Sequence, residues 1–238
     1  QLVEVINAIL AGRKPVTRAL EGPLPLSLYE GASGSIAPNH GLPRFHDCSF
    51  AAAYPFGQVR LKDKDVPLAV TVQAFNPLVP CDAETSGLPV AVLRFMLENR
   101  SSRAVTASVC GTLPNFIGND GSVTVCGWGG NPETVGSKRN QNAFREGDAV
   151  RGLLLSSDGV DPKHQAWGTI ALTTTARKRI SSRTAWAESG WGGSLLDFWD
   201  DFGLDGTLDE RQPHGEDTPI ASLAVRSVTL AGGTESGP

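Results

Sequence analysis

Two adjacent carboxylates set among aromatic rings, in the run Phe198-Trp199-Asp200-Asp201-Phe202, are the residues of this chain whose types most invite chemistry. Carboxylate pairs cleave sugar bonds when both groups flank one glycosidic oxygen, ~5 to 5.5 Å apart for a retaining reaction. Neighbours on a helix project about 100° apart, so Asp200 and Asp201 do not converge on one bond. Anchoring the helix or a loop, or meeting another domain, are the roles left to them. Trp199 and Phe202 read the same way, as core or domain-interface anchors. Trp128 and Trp191 each sit in a Gly-Trp-Gly-Gly stretch, at Gly127 to Gly130 and Gly190 to Gly193. An indole offers a flat apolar face and one N–H donor, so both are candidate substrate-binding residues that stack on a sugar ring. A domain interface is the alternative for the same two side chains.

The remaining reactive types form no site. His40, His46, His164 and His214 stand apart from any Gly-x-Ser-x-Gly elbow or His-x-x-x-His pair, and surface or structural roles are expected of them. Cys48, Cys81, Cys110 and Cys126 show no Cys-x-x-Cys spacing and no His at ligand spacing, so neither a metal site nor a disulfide framework is expected. Buried free thiols are the reading. The glycines from Gly31 to Gly34 lack phosphate-cradling spacing, and no cofactor is expected. No residue is assigned a catalytic role.

The elements that must position these residues come from an ordinary globular composition. The 238 residues are 40% hydrophobic and 19% charged, with a net charge of −4, and the pI is about 5.6. This balance argues against a nucleic-acid partner, which calls for clustered Lys and Arg. Arg177-Lys178-Arg179 with Arg183 nearby is the nearest approach to a cluster, and reads as a solvated strand or loop end. No apolar run approaches the ~20 residues of a spanning helix. The chain opens on Gln1 without a visible signal peptide, so a soluble, cytoplasmic protein is the expectation. Asn99-Arg100-Ser101 matches a glycosylation acceptor by chance.

Many short strands between Gly, Pro, Asn and Asp punctuation point to an all-β chain: a large antiparallel β-sandwich with long loops and one short helix. Val66 to Phe75 alternates, with Leu68, Val70 and Val72 on the buried face and Thr71 and Gln73 opposite. Val90 to Leu97 and Ala104 to Leu113 read as a hairpin joined by Glu98 to Arg103. Gln58 to Leu61, Ser122 to Cys126, Val150 to Ser156, Trp167 to Thr174 and Ala221 to Leu230 are further strands. Leu2 to Leu10 fits a helix or a strand. Ser194 to Phe202 is the helix, capped by Ser194 and closed by Gly203. Loops fall at Gly22 to Pro25, Gly31 to Pro43, Phe75 to Pro80 and Gln212 to Pro219, and 1–238 is read as one domain.

Five stretches, in order, resemble the N-terminal domain of glycoside hydrolase family 116, the non-lysosomal glucosylceramidases and bacterial β-glucosidases. They are RKPVTRALEGPLP (Arg13 to Pro25), YEGASG (Tyr29 to Gly34), AYPFGQVRL (Ala53 to Leu61), VPLAVTVQAFNPLVPCDAETSGLPVAVLRFMLEN (Val66 to Asn99) and LLDFWDDFGLDGTLD (Leu195 to Asp209). In the long central match, Phe75 and Leu78 are expected to plug the sandwich end while Pro77 and Pro80 fix the corner. Pro89 leads into the next strand where a missing amide donor is tolerated.

The resemblance implies a two-part enzyme in which this β-sandwich packs against a helical (α/α)6 barrel carrying a Glu nucleophile and an Asp acid/base. No such residue transfers to any position here. The chain is therefore expected to be part of a longer carbohydrate-metabolising hydrolase, inactive alone, bracing the barrel and walling its entrance. An independent carbohydrate-binding module and a purely structural subunit-interaction domain are the competing readings.

Overall fold

The computed structural model describes residues 4–28, 41–125, 132–189, 193–212, 217–226 and 230–231. Strands dominate: β1 (Glu4–Leu10), β2 (Val16–Ala19), β3 (Asp47–Ala53), β4 (Phe56–Lys62), β5 (Leu68–Phe75), β6 (Val92–Asn99) and β7 (Val105–Pro114) precede β8 (Val123–Val125), β9 (Pro132–Thr134), β10 (Asn140–Glu146), β11 (Arg151–Ser157), β12 (Ile170–Thr174), β13 (Ile180–Arg183) and β14 (Ile220–Arg226). A one-turn helix α1 (Ala83–Ser86) precedes β6, and the longer α2 (Gly193–Asp205) precedes β14. The all-β class with antiparallel sheets is as expected, and Leu2 to Leu10 resolves into a strand. Two compact units are formed by the described parts of Gln1–Asn7 with Ser108–Ser227, and of Ala8–Ala107 with Val228–Pro238.

The first unit is layered. Its middle sheet runs β13-β14-β7 and on to the start of β1. Because side chains alternate along a strand, Ala221 and its partner Leu113 point to one face, while Ala224 and its partner Cys110 point to the other. The first face packs Leu153 and Leu155 of β11 and Ile170 and Leu172 of β12 from the separate sheet β10-β11-β12. The second face takes Phe198 and Phe202 of α2, with Trp186 and Leu208. Trp186 stacks on Phe198 at 4.7 Å between centroids, and its indole N–H reaches the Ser222 hydroxyl at 2.8 Å. Each buried ring contributes on the order of 2 kcal/mol.

Three asparagines knit this unit where strands end. Asn115 Nδ2 lies 3.2, 3.0 and 3.0 Å from Gln141 O, Asn142 Oδ1 and Ser156 O. Asn140 donates to the Asn115 and Ile117 carbonyls, and Asn142 to those of Thr184 and Pro219. Backbone groups that no ladder can reach are satisfied in this way.

The second unit holds the sheet β3-β4-β5-β6. Leu61, Val70 and Leu97 lie in one row across it and are buried, as are Leu68 and Val72. The expected faces of β5 are confirmed. The expected hairpin between the sixth and seventh strands is not: β6 pairs with β5, and β7 pairs with β14. The polar run from Glu98 to Arg103 is a crossover, in which Asn99 Nδ2 donates to Arg103 O, Leu230 O and Ala231 O. The true connection between β5 and β6 contains α1, whose cap Asp82 accepts from Thr85 N–H and Oγ1 at 3.0 and 2.6 Å.

Gly152 in β11 has φ +154°, and a Cβ there would run into the Leu172 carbonyl and sit 2.8 Å from Thr173 Cα. Gly152→Ala is expected to destabilise the chain by roughly 2 to 4 kcal/mol in urea unfolding.

Candidate functional site

Helix α2 is held on its sheet by charge as well as by rings. Arg183 ends β13, and its register opposite Ser222 turns it toward the helix. The side chain is fully buried, which is tolerable only if the guanidinium is paired and fully bonded. It donates to Asp197 Oδ2 at 2.8 Å, to Asp201 Oδ2 at 2.6 Å and to the Asp209 carbonyl at 2.9 Å. Asp197 and Asp201 are one helical turn apart, so both carboxylates reach it from one face. Arg211 closes the cluster, its Nε and Nη2 donating to Asp197 Oδ1 at 3.2 and 2.9 Å. At the other helix end, Asn7 donates to the Phe202 and Gly203 carbonyls at 3.1 and 2.8 Å. The Gly206 N–H bonds back to Phe202 O, with Gly206 at φ +78°. That is a left-handed C-terminal stop.

The acidic pair that sequence spacing singled out is thus divided. Asp200 is exposed, whereas Asp201 is part of the clamp, and its true companion is Asp197. Burial works to raise the Asp197 pKa, but Arg211's hydrogen bonds and the Arg183 and Arg211 charges outweigh it and hold the carboxyl below its ordinary 3.8. A carboxyl held ionised in this way is unsuited to general-acid chemistry at neutral pH. Its chemistry here is electrostatic anchoring. Phe202 is fully buried inside its unit and has no side-chain surface to offer a partner, while Trp199 packs partly buried against the same cluster. Gly203, expected to close the helix, lies within it, and Ser194 spends its hydroxyl on Ser189. Trp128 and Trp191 lie outside the described residues, as do His40, His214 and Cys126.

Arg183 itself escaped the sequence reading, which grouped it with a solvated basic run. The available signal was its spacing: a basic residue at a strand end, 14 and 18 residues before two acids one turn apart. Among the thiols, Cys110 is buried and its pKa pushed up by desolvation, whereas Cys48 and Cys81 are exposed, against expectation. His46 is mostly exposed and pairs through Nδ1 with buried Asp63 at 2.9 Å, with Arg18 Nε on the same oxygen at 3.1 Å. Burial opposes ionisation of Asp63, yet the Asp65 N–H, Arg18 and His46 together lower its pKa. No nucleophile completes this arrangement among the described residues, so His46 reads as structural.

The second unit carries the other feature. The register places Ala53, Phe56, Phe75 and Val92 in one row at the end of the sheet β3-β4-β5-β6. Phe56 and Phe75 are 6.0 Å apart between centroids. Tyr54 lies in the turn beyond this row, and Leu78, Val79, Leu88 and Val90 lie in the chain joining β5 to β6. Apart from half-buried Val92, all are exposed, Tyr54 by 80% and Phe56 by 60%. Phe75 and Leu78 therefore do not plug the sandwich end as expected. They leave it open and apolar.

A family model described as beta-glucosidase 2, glycosyl-hydrolase family 116 N-term, matches residues 9–237. The fold and this match define an N-terminal all-β domain of a glycoside hydrolase. The chain belongs to glycoside hydrolase family 116, as its N-terminal domain.

Arg183→Ala should cost about 3 kcal/mol in urea unfolding, because two carboxylates lose their buried counter-charge. The Asp197 pKa is depressed in the folded state, so its stabilisation is complete above pH 3.8 and is lost as pH falls through the lower folded value. Acid unfolding of Asp197→Asn should accordingly show a shallower pH dependence below that point.

Proposed function

We propose that this chain is the non-catalytic β-sandwich domain of a retaining β-glycosidase of β-glucosidase or glucosylceramidase type, and that it braces a helical catalytic domain whose entrance it partly walls. The observation that carries this reading is the fate of its most conspicuous acids. Asp197 and Asp201 are committed to Arg183 and Arg211, holding α2 on the sheet. A hydrolytic pair must be free to meet a substrate, and the oxygens of these two are taken up by guanidinium groups, with Asp197 held below its ordinary pKa. The family match supports placing the reaction itself on another part of the enzyme.

The isolated chain is expected to hydrolyse no aryl β-glucoside. In the intact enzyme, Asp201→Asn should lower the melting temperature while kcat per folded molecule stays within about threefold, since loss of a reacting carboxylate costs orders of magnitude. Turnover that co-purifies with the isolated chain, or a kcat that collapses in folded Asp201→Asn enzyme, would overturn the proposal.

A further inference from the structure

We infer that the open end of the sheet β3-β4-β5-β6 is the surface that docks permanently on the catalytic domain of the same enzyme, with the β3–β4 turn, Tyr54 and Pro55, at its centre. The inference rests on the reading that a catalytic domain accompanies this one.

Topology brings three separated segments together here. β3 ends at Ala53 and β4 begins at Phe56; β5 ends at Phe75 and β6 begins at Val92. The β3–β4 turn, the chain leaving β5 and the chain entering β6 therefore share one end of one sheet. Those segments contribute Tyr54, Phe56, Phe75, Leu78, Val79, Leu88 and Val90, all exposed. Phe50 of β3 and Leu93 of β6 continue the patch on the opposite face, exposed by 69% and 39%. Taking large side chains at ~150 to 250 Å² each, the seven exposed fractions at this end amount to roughly 700 Å², before Phe50 and Leu93 on the other face are added. A stable interface covers about 800 Å² on each partner, while the largest apolar patch on a free monomer is about 300 to 600 Å².

The chemistry also selects the kind of partner. The terminal row Ala53, Phe56, Phe75 and Val92 contains no charge, and charge-depleted, aromatic-rich centres mark permanent interfaces. Strand β3 is exposed along its whole length, Asp47–Ala53, and stands at the sheet's edge. A bare apolar edge strand is an aggregation hazard unless something covers it. A sugar would need polar groups converging between the rings, yet the next row inward offers Gln58 and Gln73, which bond to each other at 3.0 Å. The polar residues Gln58, Gln73, Arg60 and Arg94 instead form a rim beside the apolar end. An apolar centre with a polar rim is the anatomy of a protein interface.

Hydroxyl-radical footprinting of the intact two-domain enzyme tests this without any substitution. Tyr54 and Phe56 should be labelled at least about fivefold more slowly than their exposure here dictates, after correction for intrinsic reactivity, as interface centres exclude water. Trp167, 43% exposed in the other unit, serves as the reference. A second measurement introduces Phe56→Asp into the intact enzyme, with Leu204→Asp on the exposed side of α2 as control. Phe56→Asp should split the single melting transition into two and cut activity at least tenfold, and Leu204→Asp should do neither. Full labelling of Tyr54 and Phe56 in the intact enzyme would overturn the inference. So would protection that appears only when an oligosaccharide is added, or that vanishes on dilution from dimer to monomer. These failures would leave the isolated chain inactive, whereas hydrolysis by the isolated chain would remove the underlying reading itself.

Discussion

A buried guanidinium needs counter-charge within hydrogen-bonding reach, and Arg183 imposes that demand on everything around it. Its strand, β13, is short and lies at the edge of its sheet. By facing inward there, Arg183 forces α2 to present Asp197 and Asp201 on one side of the helix and obliges the following chain to bring the Asp209 carbonyl and Arg211 back to it. An apolar residue could fill the same space, but would not fix the rotation of the helix. Two i, i+4 carboxylates converging on one planar fork do fix it. With that rotation set, Phe198 and Phe202 face Trp186 and the sheet, and Leu196, Asp200 and Leu204 face outward.

The two units solve the problem of a β-sheet's faces differently. In the first, both faces of the middle sheet are covered, one by three strands and the other by α2. In the second, the sheet β3-β4-β5-β6 is buried along the row Leu61, Val70 and Leu97, yet bare at the row that holds Phe56 and Phe75. The two rows lie on opposite faces, so these apolar side chains stand at one end of a face whose next row inward is Gln58, Gln73 and Arg94. Hydrophobic side chains left beyond the chain's own cover have a cost in solubility that a partner surface offsets.

What could be read from the sequence follows the range of the interactions concerned. The faces of β5 were legible because alternation is local: Leu68, Val70 and Val72 declare themselves within five residues. Strand pairing was not, since the polar run Glu98 to Arg103 looks like a hairpin whichever way the chain turns, and only the distant carbonyls of Leu230 and Ala231 commit Asn99 to a crossover. Strand β10, Asn140–Glu146, escaped notice because four of its first five positions are occupied by Asn, Gln, Asn and Ala, whose buried members are held by hydrogen bonds rather than by apolar packing. The helix was legible from its caps and rings, but Gly203 misled: a glycine inside a helix and a glycine ending one look alike until a φ is known, and Gly206 is the one at +78°.

The same distinction separates the two candidate sites. Acidic residues advertise chemistry in a sequence because charge is visible residue by residue, whereas the cations that neutralise them are named only by the fold. Asp201 illustrates this, being conspicuous in sequence and already satisfied in space by Arg183. Exposed aromatics mislead in the opposite direction. Phe75 suggests a plug by its type, yet it shares the parity of Thr71 and Gln73, on the face of β5 opposite Val70. The informative residues of this domain are therefore those on which side-chain type and burial disagree, a buried Arg and a row of exposed Phe. The first disagreement is resolved within the chain by Asp197 and Asp201, and the second is the one that the proposed docking on a catalytic domain would resolve.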